Sequence, residues 1–209
     1  MHSVLLLTSV LMAGSVMATP VGLTSRQGCS DLQLVCLPGT YESGFGIVCG
    51  PLRDNLASTI PGTTAYAVPY NTSPEYVVSV AGGARIAEQY ITTQSAQCPN
   101  QRFVIGGYSK GAMVVHEMNL STALKSKVLT VAVFGDPNRK TGGPLSWPIN
   151  SPLVDASPRD GSTLSQNVAS FCNSGDQFCD PNGNVLPPHL RYGQDGSTMV
   201  AANFVEQKL

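Results

Sequence analysis

Charge is sparse in this sequence. Lys and Arg number 12 and Asp and Glu 13 in 209 residues, the formal net charge is -1, and basic residues nowhere form a run. A nucleic-acid partner needs a basic stripe to neutralise phosphates, so that class of partner is excluded. Long apolar runs are missing too. The best candidate, Val4 to Met12, falls well short of the roughly 20 residues that a bilayer-spanning helix requires, so no membrane span is expected. Cysteine and histidine do not cluster in the paired spacing of a zinc site, and no metal or organic cofactor is implied. Repeats, linkers and low-complexity tracts are absent. Histidine itself is rare, at 3 in the chain, which narrows the search for a catalytic base.

What remains is a globular composition, with hydrophobic residues at 42%. The apolar stretch at Val4 to Met12, followed by the small-residue pattern Val16-Met17-Ala18, reads as an export signal, although its n-region carries only His2 and the α-amino group. Residues 1–18 are therefore expected to be a signal peptide and residues 19–209 one domain, secreted and monomeric. Six cysteines follow the signal: Cys29, Cys36, Cys49, Cys98, Cys172 and Cys179. An even number in an exported chain argues for disulfides, but spacing alone suggests only a local clip between Cys172 and Cys179. Asn71-Thr72-Ser73 and Asn119-Leu120-Ser121 are N-glycosylation sequons, the first followed directly by Pro74.

Short apolar runs alternate with longer helical patterns, the signature of an α/β fold with a parallel sheet. Strands are expected at 32–37, 65–68, 102–105, 128–134 and 167–171. The run Val128 to Phe134 has the continuous β-branched character of a strand buried on both faces. Ser73 is placed to cap a helix with Pro74 in its first turn, carrying Val77, Val80, Ala81, Ala84 and Ile91 at helical spacing. Further helices should follow Ser109 and run from about Ser197 to Lys208. Lys140 to Ser165, rich in Pro, Gly and Ser, reads as a surface excursion.

The chemistry concentrates at Gly107-Tyr108-Ser109-Lys110-Gly111. This is G-x-S-x-G between an expected strand and an expected helix, the setting in which a serine sits on a sharp, strained turn with its hydroxyl lifted above the sheet. Its flanking glycines allow neighbouring elements to approach where a Cβ would not fit. A serine hydroxyl needs a base. His116 lies two helical turns beyond Ser109, about 10 Å away, too far to take the proton, and reads as a packed or surface residue. His189 lies after the last expected strand, where the Ser…Asp…His order puts the base. Chain order leaves three carboxylates to orient it: Asp136, Asp176 and Asp180. Asp176 is preferred because a Cys172–Cys179 clip would hold it rigidly; Asp136 has the alternative role of a strand-end cap. Oxyanion donors are expected from the Lys110 N–H and from the loop Pro38 to Gly44, where Thr40 offers an N–H and a hydroxyl.

So assembled, the chain resembles the cutinase family of secreted fungal esterases over nearly the whole of the mature sequence. Cys98-Pro99, a strand and Gly106-Gly107-Tyr108-Ser109 resemble the family's nucleophile segment. Cys172-Asn173-Ser174-Gly175-Asp176 with Cys179, then Pro188-His189-Leu190 and Tyr192-Gly193, resemble its acid and base segment. The resemblance implies a small α/β-hydrolase with a central five-stranded, mainly parallel sheet flanked by helices, and no lid. It implies a triad of Ser109, Asp176 and His189, an oxyanion hole from Thr40 and Lys110, and disulfides Cys29–Cys98 and Cys172–Cys179. Cys36 and Cys49 remain as candidates for a third bridge, though Cys36 inside a buried strand would equally suit a free thiol. The expected activity is hydrolysis of carboxylic esters in a polymeric or lipid-like substrate such as cutin, without a cofactor.

Two departures stand out. The family usually carries Gln after the nucleophile; the ammonium of Lys110 is a candidate to help hold the oxyanion. Gly135-Asp136-Pro137 and the 140–165 excursion look more like the related acetylxylan esterases, which keeps that substrate class open. Val185, Leu186 and Leu190 around His189 would form an apolar rim suited to an acyl chain. A third reading is a secreted binding or elicitor protein that keeps the fold without the activity.

Overall fold

A computed structural model of the protein describes residues 29–142, 145–161 and 165–209. The expected signal peptide, residues 1–18, lies outside them. Six strands form one sheet: β1 (Leu32–Leu37), β2 (Thr64–Ala67), β3 (Arg102–Tyr108), β4 (Val128–Phe134), β5 (Val154–Asp155) and β6 (Val168–Phe171). Their order is β2-β1-β3-β4-β6-β5, and every pairing is parallel.

Alternation along each strand builds a core on each face. Val35, Leu37, Phe103, Ile105, Val131 and Val133 point to one side. There they meet α2 (Val77–Gln97), through Val80, Ala84, Ala87 and Ile91, and α3 (Lys110–Glu117), through Ala112, Val114 and Val115. Leu34, Cys36, Val104, Ala132 and Phe134 point to the other side, against Val48, Leu52 and Leu56 of α1 (Gly46–Thr59) and Phe204 and Val205 of α6 (Ser197–Glu206). Short helices α4 (Thr122–Lys125) and α5 (Pro137–Thr141) complete the layers.

Three features differ from the sequence expectation. The sheet has six strands rather than five. The extra one, β5, is two residues long inside the 140–165 excursion and pairs with β6, too short to leave a hydrophobic period. Helix α1 contains Gly50 and Pro51, which hide a buried face of Val48, Cys49, Leu52 and Leu56. Helix α2 begins at Val77, and Ser73 does not cap it. The Glu75 carboxylate accepts the Val78 and Ser79 N–H groups at 3.0 and 2.9 Å, while the Ser73 N–H is turned back onto Asn71 Oδ1 at 3.0 Å.

Disulfides join Cys29 to Cys98, Cys36 to Cys49 and Cys172 to Cys179. The second ties β1 to α1. The third closes the loop after β6. Replacing both Cys172 and Cys179 by Ser is expected to lower stability by about 2–3 kcal/mol, from the loop entropy released in the unfolded chain. Guanidinium unfolding of the two proteins without reductant reads that difference, and equal midpoints would contradict it.

The topology also positions a site. Chain order reverses direction beside β1, whose neighbours are β2 and β3. In open parallel sheets, ligands bind outside the carboxyl ends of the strands at such a switch. The loops that leave β1 and β3 are those that carry Thr40 and Ser109.

Candidate active site

Ser109 occupies the turn between β3 and α3 with φ 52° and ψ -116°, a left-handed-side conformation that costs energy for a residue with a Cβ. The Ser109 N–H donates to the Phe134 carbonyl at 2.9 Å, which anchors the turn to the end of β4. Gly111 makes the turn sterically feasible. A Cβ there would stand 2.0 Å from the Leu37 carbonyl oxygen, so α3 packs directly on the end of β1. That contact brings the start of α3, with its N–H groups lacking intrahelical partners, beside the Thr40 loop.

His189 sits in a 3₁₀ turn, Pro187–Leu190, and is 4% exposed. Its Nδ1 lies 2.8 Å from Asp176 Oδ2 and 3.0 Å from Oδ1. A carboxylate accepts, so Nδ1 carries the proton and Nε2 keeps its lone pair. Phe178 and Tyr108 flank the ring at 4.4 and 5.1 Å, and the Tyr108 hydroxyl donates to the His189 carbonyl at 2.9 Å. Gly135 leaves room for the imidazole, since a Cβ there would lie 2.7 Å from ring atoms.

Asp176 is fully buried inside the Cys172–Cys179 loop. Besides His189 it accepts from the Tyr192 hydroxyl at 2.6 Å and the Phe178 N–H at 2.8 Å. Burial alone would push this carboxyl up, but the hydrogen bonds from His189, Tyr192 and the Phe178 N–H together hold it below the usual carboxylate range. Tyr192, Tyr108 and Gly135 enter the sequence only as members of wider motifs; their contacts with Asp176 and His189 have no local signal and need the folded chain. Lys140 is a further such residue: its ammonium donates to the Gln177 and Gly183 carbonyls at 2.9 and 2.7 Å, bracing the acid loop from α5.

Asp136 and Asp180, the other carboxylates permitted by chain order, are engaged elsewhere. Asp180 accepts the Gly175 and Asn182 N–H groups. Asp136 caps α5 through the Asn138 N–H and pairs with His116, Nε2 to Oδ2 at 2.8 Å, with both residues buried. His116 is thus a paired core residue on α3.

Thr40 and Lys110 both come to the Ser109 turn, and Thr40 Oγ1 is 3.2 Å from the Tyr76 hydroxyl. The Lys110 side chain contradicts its expected reach toward the oxyanion. It is fully buried, and its ammonium donates to the Asn71 carbonyl at 3.0 Å, the Glu75 carbonyl at 2.9 Å and the Ser73 carbonyl. Three converging carbonyls outcompete the open site because an unpaired buried ammonium is costly. Burial pushes its pKa down, while the Glu75 carboxylate pulls it up.

Ser109, His189 and Thr40 line one open cleft of about 680 Å³. Its walls are mainly apolar, including Tyr41, Tyr76, Met113, Phe178, Leu186 and Leu190. Leu186 and Leu190 match the expected rim. Val185 does not line the cleft; its N–H instead bonds the Gly175 carbonyl, in an isolated bridge beside Asp176. Among the described residues, no group of three His, Cys, Asp or Glu is placed to hold a metal ion, and no helix is long and apolar enough to cross a membrane.

The family model for Cutinase matches residues 28–209. The chain belongs to the cutinase family. As a member it is a carboxylic ester hydrolase. It is 34% identical over 217 residues to carboxylesterase Culp1 of Mycobacterium tuberculosis, covering 96% of this chain and 95% of that protein. A Trichoderma reesei cutinase solved with a C11Y4 phosphonate inhibitor superimposes with TM-score 0.68 at 29% identity, over 85% of this chain and 76% of that one. The catalytic core of acetyl xylan esterase from Trichoderma reesei shares the fold, with TM-score 0.69 at 21% identity, over 87% of this chain and all of that one, 100%.

This cutinase-family protein should lose stability in acid in a way traceable to its site. Asp195 resembles Asp176: burial opposes its ionisation, and hydrogen bonds from Ser197 and Asn173 with the Arg159 charge hold it down. A carboxyl with a depressed folded pKa stabilises above the ordinary carboxylate range and loses that contribution as pH falls through its folded value. The melting temperature should therefore be level near neutral pH and fall below about pH 4. Asp176→Asn should fall less steeply, and a profile parallel to wild type would show that Asp176 contributes nothing to the acid transition.

Proposed function

We propose that the protein is an exported serine esterase working by two-step acyl transfer. Ser109 Oγ attacks the ester carbonyl as His189 Nε2 takes its proton. The Lys110 N–H and Thr40 hold the oxyanion, and Asp176 keeps the imidazole in the required tautomer and steadies its charged form. His189 then protonates the leaving alcohol, and water releases the acid by the reverse route. The observation that carries this reading is Ser109 and His189 on one cleft, with Asp176 on His189 Nδ1. Export agrees with three disulfides, which persist in oxidising compartments.

For substrate, the open apolar walls favour an aliphatic or polymeric ester such as cutin over a sugar acetate. Hydrolysis of p-nitrophenyl esters from acetate to palmitate, with Ser109→Ala alongside, tests both levels. A rate that peaks at butyrate or longer and vanishes in the variant is expected. A rate confined to acetate would move the assignment to acetylated sugars. No Ser109-dependent rate on any ester would leave a folded exported protein of binding or elicitor type.

A further inference from the structure

The loop that carries Thr40 is braced from within by the Glu42 carboxylate, which accepts the Gly39 and Ile47 N–H groups at 2.6 and 2.8 Å, and from outside by the turn at residues 70–76. The Tyr70 hydroxyl donates to the Pro38 carbonyl at 2.6 Å. The Tyr41 N–H donates to the Thr72 carbonyl at 2.8 Å, and the Thr72 hydroxyl to the Glu42 carbonyl at 2.8 Å. The Tyr76 hydroxyl reaches Thr40 Oγ1 itself. The 70–76 turn is fastened in its own right to the nucleophile's neighbour. The Lys110 ammonium takes the carbonyls of Asn71, Ser73 and Glu75, and lies 5.7 and 5.2 Å from the ring centres of Tyr70 and Tyr76.

We infer that the Lys110 side chain is a positioning group for the oxyanion hole, acting through Tyr76 to aim the Thr40 hydroxyl. This rests on the acyl-transfer reading above. The chemistry of the donors supports it. An ammonium has three N–H donors and no acceptor, which matches three convergent carbonyls. A glutamine in its place would have two N–H donors and an oxygen that would face those carbonyls. A Tyr76 hydroxyl that donates to Thr40 Oγ1 leaves the Thr40 hydrogen free to point at the developing oxyanion. Preorganised donors of this kind act on the transition state more than on bound substrate, so the loss should appear in kcat.

The test is steady-state hydrolysis of p-nitrophenyl butyrate by wild type, Tyr76→Phe, Lys110→Gln and the double variant, with kcat expressed per site titrated by an organophosphonate. Tyr76→Phe should lower kcat about 3- to 10-fold and Lys110→Gln about 10- to 100-fold, each with KM within about twofold. The double variant should be no slower than Lys110→Gln alone, because both changes cut one chain of contacts. Independent, multiplying losses, or an unchanged kcat with only a lower melting temperature, would overturn the inference and mark Lys110 as a packing residue. If Lys110→Gln does not fold, Tyr76→Phe is measured with and without Thr40→Val. Its effect should disappear when Thr40 has no hydroxyl, and a persisting effect counts against the inference. A wild type without Ser109-dependent hydrolysis sinks the acyl-transfer reading and this inference together. An active wild type with indifferent variants sinks this inference alone.

Discussion

Asp176→Asn should lower kcat about 10⁴-fold, by stranding His189 in the wrong tautomer. Three donors converge on the two carboxylate oxygens: His189 Nδ1, the Tyr192 hydroxyl and the Phe178 N–H. An amide has only one oxygen. If that oxygen serves the Phe178 N–H, the amide nitrogen faces the imidazole and donates to Nδ1. The ring proton then moves to Nε2, and Ser109 has no base. The side-chain volume is unchanged, so the fold should survive with a modest loss of stability. Steady-state hydrolysis of p-nitrophenyl butyrate is the measurement. A rate within about tenfold of wild type would show that this carboxylate does not orient the base.

Asp136→Ala should do the opposite, costing about 3–5 kcal/mol of stability with kcat per folded molecule retained. His116 Nδ1 faces the Ser146 carbonyl at 2.9 Å, so it must donate, and Nε2 faces Asp136 at 2.8 Å. The ring also rests 4.3 Å from Trp147. Removing the carboxylate leaves a buried polar ring edge and the start of α5 without partners, between the nucleophile helix and the segment around Trp147. For a chain of this size the melting temperature should drop by roughly 6–20 °C. Thermal unfolding alongside the esterase assay separates the two carboxylates. A stable but inactive Asp136→Ala protein would exchange the roles assigned to Asp136 and Asp176.

Those two aspartates also show where sequence reasoning reached its limit. Both follow a strand, both precede His189, and each has a histidine partner. Chain order admits either as the orienting acid. The preference for Asp176 came from the closely spaced Cys172 and Cys179, a local feature. The pairing of Asp136 with His116 left no trace, because it joins α3 to the end of β4 across 20 residues by packing alone.

The same division runs through the rest of the molecule. Strands such as Val128 to Phe134, the G-x-S-x-G turn, the late His189 and the cysteine pair around Asp176 were legible because each depends on neighbours within a few positions: β-branched runs, glycine spacing, chain order. The α/β class followed from their alternation. The strand order, the two-residue β5 and helix α1 with its Pro51 were not legible, since they depend on which apolar faces find each other. Lys110 is the sharpest case. Its backbone role can be read from its place after Ser109, but its side chain can be assigned only once the 70–76 turn is folded over α3. A buried ammonium goes where carbonyls converge, and carbonyls separated from it by 35 to 39 residues converge only in three dimensions.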